Sequence, residues 1–532
     1  MNRIEVYDTT LRDGAQAEGI SFSVEDKRRI ALLLDELGVA YIEGGWPNPK
    51  SPKDVEFFAL ARELPLRHAT LAAFGSTCRV GAAPEDDEQL RALLDSGAPA
   101  LTIFGKSWDL HVAEVLRCSR DENLRMIEES VAFLREAGRE VIFDAEHFFD
   151  GWRADSAYAL ETLRAAERGG AARLVLCDTN GGSLPRQIAE AVEASASVVT
   201  TPLGIHVHND SGCAVGNTLL AVEAGCVQVQ GTLNGYGERC GNADLCVIVP
   251  NLALKLGCQC LAAPDGVRQL RHVAHAVAEI ALVEPDPRQP YVGNSAFAHK
   301  GGMHQDGMVK QPRSFEHVEP ESVGNDRRYV LSEMAGTAAV QMKVAKLFPR
   351  LTKRSPEVLE LLRRVKEMEN AGYEFEAADA SFELLALDVM GRRPTLFDVT
   401  RMTVLVKETA PNVAEVFAEA ALQLRVNGDA VSGVADGDGP VHALDNAVRQ
   451  AIGPRFPRLA DIRLTDFKVR VVSGKEGTAA KVRVVITSTD GHHSWTTVGA
   501  HENIIWASWL ALVDGYHYGL LMNEAGEVVP TQ

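Results

Sequence analysis

The sequence predicts an α/β protein in which a (β/α)8 TIM barrel is followed by a helical linker region and a C-terminal α+β domain. Two observations predict the barrel. Short β-branched or aliphatic runs alternate eight times with longer helical patterns in the first half of the chain, and polar side chains recur just after nearly every run. A third observation predicts the further domain: near residue 381 the pattern changes to long alternating strands that repeat once.

Strands are expected at residues 4–7, 40–43, 69–74, 100–104, 140–143, 173–177, 201–207 and 226–231, all too short and too β-branched to be helices. Helical spacing fills 24–37, 122–136, 157–168, 187–194 and 213–224 between them. An open doubly wound sheet shares this alternation, but no Gly-x-Gly-x-x-Gly follows the first strand. The strand-end residues also favour closure: Arg12, Asp13, Glu43, Lys106, Asp144, Glu146, Asp178, Thr179, His206, His208 and the stretch 234–242. A barrel gathers all of these ends around one mouth, whereas chance would scatter them.

After Pro250 come helices at 252–256 and 266–279, then a loop-rich region at 285–324. Its segment Phe297-Ala-His299-Lys-Gly-Gly-Met-His304-Gln-Asp-Gly307 reads as a mobile lid, and a helical stretch at 338–370 leads onward. Strands at 382–389, 400–407 and 418–426 then pass through Gly433-Val-Ala-Asp-Gly-Asp-Gly439 to a helix at 442–452. Strands at 467–472, 480–487 and 494–498 pass through Gly499 to a helix at 503–516. The two halves form a weak internal duplication, as expected of a module that regulates or dimerises, or that simply packs on the barrel. The expected domains are a catalytic barrel at 1–265, a linker with the lid segment at 266–380 and the C-terminal regulatory domain at 381–532.

At 532 residues the chain exceeds one core. Its net charge of −19 repels phosphate backbones and anionic membrane surfaces, so neither nucleic acid nor membrane is an expected partner. It enters a strand without a basic and then apolar leader, which makes the cytoplasm the expected location. Nine scattered cysteines, with Cys258-Gln-Cys260 lacking a second pair, read as reduced structural thiols.

The chemistry centres on Tyr7-Asp8-Thr9-Thr10-Leu11-Arg12-Asp13-Gly14, where a cation and a carboxylate share a glycine turn. A fixed guanidinium stabilises an oxyanion and the carboxylate can hold a metal, although a surface ion pair capping a strand has the same residues. His206-Val-His208 decides between them. Residues i and i+2 of a strand face one side, so both imidazoles point into the mouth, and closure brings strand eight and its loop between strand seven and Asp13. Asn242 can add an amide oxygen from that loop. Asp13, His206, His208 and Asn242 thus make a set suited to a divalent ion, with Mg, Mn, Zn and Co all admissible. Its open positions fit a 2-oxo acid. Glu146 and His304 are candidate proton-transfer groups, or ligand-orienting ones.

Several segments resemble a known family. Asp8-Thr-Thr-Leu-Arg-Asp-Gly14, His206-Val-His208-Asn-Asp210, Gly231-Thr-Leu-Asn-Gly-Tyr-Gly-Glu-Arg-Cys-Gly-Asn242 and residues 299–307 are similar to the signatures of the 2-isopropylmalate, homocitrate and citramalate synthase group. Glu43-Gly-Gly-Trp-Pro-Asn-Pro-Lys50, Phe104-Gly-Lys-Ser-Trp-Asp-Leu-His111 and Phe143-Asp-Ala-Glu-His-Phe-Phe-Asp150 most resemble the citramalate-forming members. The resemblance implies condensation of acetyl-CoA with pyruvate and hydrolysis of the thioester, giving (R)-citramalate and CoA for isoleucine synthesis. It implies a metal on Asp13, His206, His208 and Asn242, Arg12 as enolate or alkoxide stabiliser, Glu146 and His304 in proton transfer, and Thr179 on the 2-oxo acid. It also implies a homodimer whose C-terminal domain binds an amino-acid effector, isoleucine. One departure is Ala335-Gly-Thr337, where the family has Ser-Gly-Arg, which puts hinge or inter-subunit contacts there in question.

The competing readings are 2-isopropylmalate or homocitrate synthase, a lyase of the same barrel group, and an amino-acid sensor on an inactive barrel. The lyase leaves the C-terminal module unexplained. The sensor leaves unexplained why Arg12, Asp13, His206, His208 and Asn242 are all present.

Overall fold

Eight parallel strands close in chain order: β1 (Glu5–Asp8), β2 (Tyr41–Gly45), β3 (Thr70–Ser76), β4 (Ala100–Lys106), β5 (Glu140–Glu146), β6 (Arg173–Asp178), β7 (Leu203–Val207) and β8 (Gln228–Gly231). β8 returns to β1 in the register Glu5↔Gln228 to Asp8↔Gly231. The structure is a computed structural model describing residues 3–48, 50–263, 265–329, 336–408, 416–472 and 480–523. The chain divides into two compact units, residues 1–297 with 316–327, and residues 298–315 with 328–532.

Within the first unit the period-two alternation sorts each strand into two faces. Val6, Ile42, Leu101, Val141, Leu174, Ile205 and Val229 join the large core shared with the surrounding helices. Tyr7, Tyr41, Ala72, Ala100, Ile142, Val175 and Cys177 cluster separately as the barrel's filling. Helix Val24–Leu37 shows how the outer layer is set locally. Ser23 and Asp26 form a reciprocal capping box at its start, and its buried face is Ile30, Ala31, Leu34 and Leu37. It stops at Gly38, whose φ of 91° and whose approach to the Ala263 backbone nitrogen, 2.3 Å from where a Cβ would lie, exclude any larger residue. At the N-terminal ends of the strands Arg173 forks onto Glu5, with nitrogen–oxygen distances of 2.6 and 2.9 Å. This plugs the barrel floor, and β4 and β5 run past their expected ends as far as the Lys106↔Glu146 pair at the opposite mouth.

Helix Gly266–Ile280 belongs to this first unit, with Leu270, Val273, Ala274 and Val277 in the barrel's outer core rather than opening the linker. All nine cysteines are free thiols. No helix among the described residues is long and apolar enough to cross a membrane.

In the second unit, β9 (Ala298–His299) pairs in parallel with β10 (Arg328–Tyr329). The expected lid is a helix at Gly302–Lys310 rather than a loop. Its glycines mislead because two of them precede the helix or open it, and the third, Gly307, lies against Phe315, 2.2 Å from where a Cβ would stand. The expected strand at 382–389 is likewise a helix, Asp379–Val389. Phe382, Leu384, Leu385, Ala386 and Leu387 are all buried, and burial all round leaves a short apolar run without a readable period. Ala335 lies outside the described residues, and helix Thr337–Val344 starts two positions on.

The duplication is present with different members. β11 (Asp398–Glu408), β12 (Val416–Val426) and β13 (Asp429–Gly437) form one antiparallel sheet followed by helix Pro440–Ile452. β14 (Arg463–Val471), β15 (Val482–Thr489) and β16 (Ser494–His501) form another, followed by helix Ile504–Leu521. The glycine-rich stretch expected as a loop is the third strand of the first sheet. Gly433 and Gly437 face helix Pro440–Ile452 so closely that a Cβ would meet its backbone at 2.0 and 2.3 Å.

His517 in this unit gives a pH dependence. It is buried, stacked at 4.6 Å on Phe397, and its Nδ1–H donates to the Val513 carbonyl. Burial, and then the charge of Arg393, lower its pKa from 6.5 to about 4. The unfolded chain therefore binds the extra proton between those values, and stability present above pH 6.5 is lost as pH falls toward 4. Between pH 7.5 and 5 this site should cost about 2 kcal/mol. Urea unfolding at both pH values should show His517→Phe, which keeps the ring stack, losing correspondingly less; equal losses in both proteins would count against the assignment.

Candidate active site

The mouth of the barrel carries a buried charged network built from inward-facing residues of the strands and from the loops that follow them. Arg12 follows β1. Its Nε lies 2.7 Å from Glu43 Oε1 on β2 and its Nη1 3.2 Å from Asp13 Oδ1. Its guanidinium carbon sits 3.7 Å from the centre of the Phe74 ring at the end of β3. Phe74 stacks on Phe104 of β4, and Trp46 meets both edge-on, so an aromatic wall holds the cation in place. The fully buried Glu43 also accepts from the Tyr7 hydroxyl at 3.1 Å.

Asp13, His206 and His208 converge beside this pair. Asp13 Oδ2 lies 3.2 Å from His206 Nε2 and 3.7 Å from His208 Nε2, and the two imidazole nitrogens are 3.2 Å apart. Among the described residues these three form the one group able to hold a metal ion. Burial opposes the charge of Asp13, but Arg12 and then His206 overcome it and hold the carboxyl far below the usual range. Burial would neutralise His206, and the contact and charge of Asp13 outweigh it, raising its pKa. His208, under burial and then the neighbouring His206, falls to about 4 and is neutral.

Asn242 arrives from the loop after β8, bridged to His208 by backbone pairing. Its Nδ2 lies 2.7 Å from Asp13 Oδ2, while its buried Oδ1 meets no donor among the described residues. Gly237 makes this placement possible, because a Cβ there would lie 2.0 Å from Asn242 Oδ1. Half a turn of the amide presents the orphaned oxygen beside Asp13. Two imidazoles, one carboxylate and one amide oxygen therefore fit a divalent ion. One contact opposes the fit: Arg239 Nη2 stands 3.0 Å from His208 Nδ1, and a guanidinium can only donate. Ligation through His208 Nε2 requires Arg239 to rest on its other partners, Asp210 and the Thr179 carbonyl.

Glu146 ends β5 and is ion-paired with Lys106 of β4. Thr179 follows β6, and its Oγ1 accepts from the backbone N–H of His147 at 2.9 Å, leaving its own hydroxyl hydrogen available. His147 holds this position in a left-handed conformation, φ 56°, braced by Asp150 at 3.2 Å. His304 belongs to the second unit, exposed on helix Gly302–Lys310 with its ring stacked at 4.6 Å on Phe315. The cluster in the first unit is assembled without it.

Residues that do not stand out in the sequence complete the network. Gln230 of β8 has Oε1 2.9 Å from His206 Nδ1 and Nε2 3.2 Å from Asp144 Oδ1. Its one signal is the alternation Gln228-Val229-Gln230, which turns two amides into the barrel. Trp46 and Phe104 lie in segments that carry the family resemblance, but nothing in the sequence sets them or Phe74 beside Arg12, because aromatic residues near strand ends read as ordinary core.

The HMGL-like family model matches residues 3–277, the homocitrate synthase post-HMGL domain-like model residues 291–372, and the LeuA allosteric (dimerisation) domain model residues 376–520. An (R)-citramalate synthase from Synechocystis sp. is 49% identical, covering 98% of this chain and 97% of its own length. One from Geobacter sulfurreducens is 47% identical over 98% of this chain and 99% of its own. A probable 2-isopropylmalate synthase from Methanopyrus kandleri is 33% identical over 97% of this chain and 98% of its own. With both its barrel and its C-terminal module matched over almost their whole length, the chain belongs to the (R)-citramalate synthase family of HMGL-like barrel proteins.

Proposed function

We propose that this protein condenses acetyl-CoA with pyruvate and water to give (R)-citramalate and CoA. The observation that carries the reading is identity of 49 and 47% to (R)-citramalate synthases over almost the full chain, against 33% to the 2-isopropylmalate synthase.

The reaction removes a proton from the acetyl methyl group, forms a carbon–carbon bond to the ketone carbon of pyruvate and protonates the ketone oxygen. Water then breaks the thioester, leaving a carboxylate and the CoA thiol. A divalent ion on Asp13, His206, His208 and Asn242 supplies Lewis-acid polarisation when bound. Arg12, clamped by Glu43 and stacked on Phe74, offers a fixed positive charge where oxyanion charge develops. Glu146, its charge balanced by Lys106, and His304 are the proton-transfer groups. Thr179 donates its hydroxyl to the carboxylate of the 2-oxo acid. Residues 381–532 dimerise and bind isoleucine as effector, a reading supported by the LeuA allosteric (dimerisation) domain match.

A substrate panel tests this. Purified protein with Mn2+ should release CoA from acetyl-CoA fastest with pyruvate. Discrimination against 2-oxoisovalerate, which carries two more carbons, should be about 10²- to 10⁴-fold, because each added carbon in an apolar pocket is worth about 1–3 kcal/mol. A preference for 2-oxoisovalerate or 2-oxoglutarate would transfer the protein to the isopropylmalate or homocitrate reaction.

A further inference from the structure

An imidazole binds a metal through Nε2 only when its other nitrogen carries the hydrogen, and a neighbour must fix that choice. His206 and Gln230 are register partners on adjacent strands, so their side chains lie next to each other inside the barrel. Gln230 is fully buried, with Oε1 2.9 Å from His206 Nδ1. An amide can turn either end toward a ring, and on its own it would fix nothing. Its far end decides: Gln230 Nε2 reaches across the barrel to Asp144 Oδ1 at 3.2 Å, and a carboxylate oxygen accepts. The amide nitrogen is thereby committed to Asp144 and the amide oxygen to His206. That leaves hydrogen on Nδ1 and gives Nε2 to an ion, which would displace the proton that Nε2 shares with Asp13 Oδ2 at 3.2 Å. His208 has the opposite neighbour, the donor Arg239.

We infer that Asp144 and Gln230 are positioning residues for the metal centre: Asp144 orients the Gln230 amide, and the amide holds His206 in its ligating tautomer. Neither touches the ion. The inference rests on the metal reading given above.

The test is Mn2+ binding to the full chain by titration calorimetry, with the ligand-field spectrum of bound Co2+ as a second readout. Gln230→Leu, which removes the acceptor, should weaken Mn2+ binding about 10- to 100-fold. Asp144→Leu should weaken it comparably although Gln230 is intact, because the amide is then free to turn its nitrogen to the ring. The exchanged pair Gln230→Glu/Asp144→Asn restores an acceptor for His206 and a donor behind it, and should bind within about threefold of the unaltered chain while Co2+ keeps its spectrum. Unfolding midpoints in EDTA separate loss of positioning from loss of fold. If Gln230→Leu fails to fold, Asp144→Leu and the exchanged pair decide. Mn2+ affinity unchanged in Asp144→Leu, or as weak in the exchanged pair as in the single variants, overturns the inference. If the unaltered chain takes up no Mn2+, the metal reading itself falls and this inference falls with it.

Discussion

Replacing Arg12 by alanine should lower both turnover and stability. Glu43 is fully buried, and Arg12 is its one cationic partner among the described residues, at 2.7 Å; without it the carboxylate keeps the Tyr7 hydroxyl. Breaking a buried pair from one side costs about 3–5 kcal/mol. Losing a fixed positive charge at the developing oxyanion costs about 10²- to 10³-fold in kcat. The two effects can be separated. Arg12→Ala/Glu43→Gln removes the stranded charge, so urea unfolding should return most of the stability while CoA release stays low. Arg12→Lys keeps the charge but loses the two-nitrogen fork onto Glu43 and the flat stack on Phe74, and should be stable yet slow. Full turnover in Arg12→Ala/Glu43→Gln would remove Arg12 from the chemistry and leave it a structural cation.

Asp13→Asn should have the larger effect on catalysis. Asp13 supplies the only carboxylate in the cluster, and its oxygen faces both imidazole nitrogens. Asparagine offers one neutral oxygen in its place, so metal affinity and the Lewis-acid contribution of several kcal/mol should be lost together. That corresponds to a fall in CoA release of about 10²- to 10³-fold or more. The substitution also removes the charge that raises His206. A full-strength CoA assay with Asp13→Asn, together with unchanged Mn2+ uptake, would place the metal elsewhere.

Much of this site is legible in residue order alone. Arg12, Asp13, His206 and His208 announce themselves by type and spacing, because a strand's period of two fixes which side chains share a face. Closure of eight strands then makes β1 and β8 neighbours, which is why Asn242 belongs beside Asp13 although it comes from so far along the chain. Helix Asp379–Val389 and the strand at Gly433–Gly437 depart from expectation for a common reason: where all faces are buried, or glycine replaces side chains for close packing, the periodic signal vanishes.

The barrel follows from local periodicity, the family resemblance from the quoted motifs and the candidate ligand types from residue order, and so these need nothing beyond the sequence. Tertiary packing settles the remainder. Glu43 clamps Arg12, three aromatic rings wall it in, Arg239 faces one histidine and Gln230 the other, and Asp144 reaches Gln230 across the barrel. These contacts join strands that are distant in sequence, at distances set by side-chain packing, and no local pattern encodes which hydrogen-bonding atom a buried amide turns toward its neighbour.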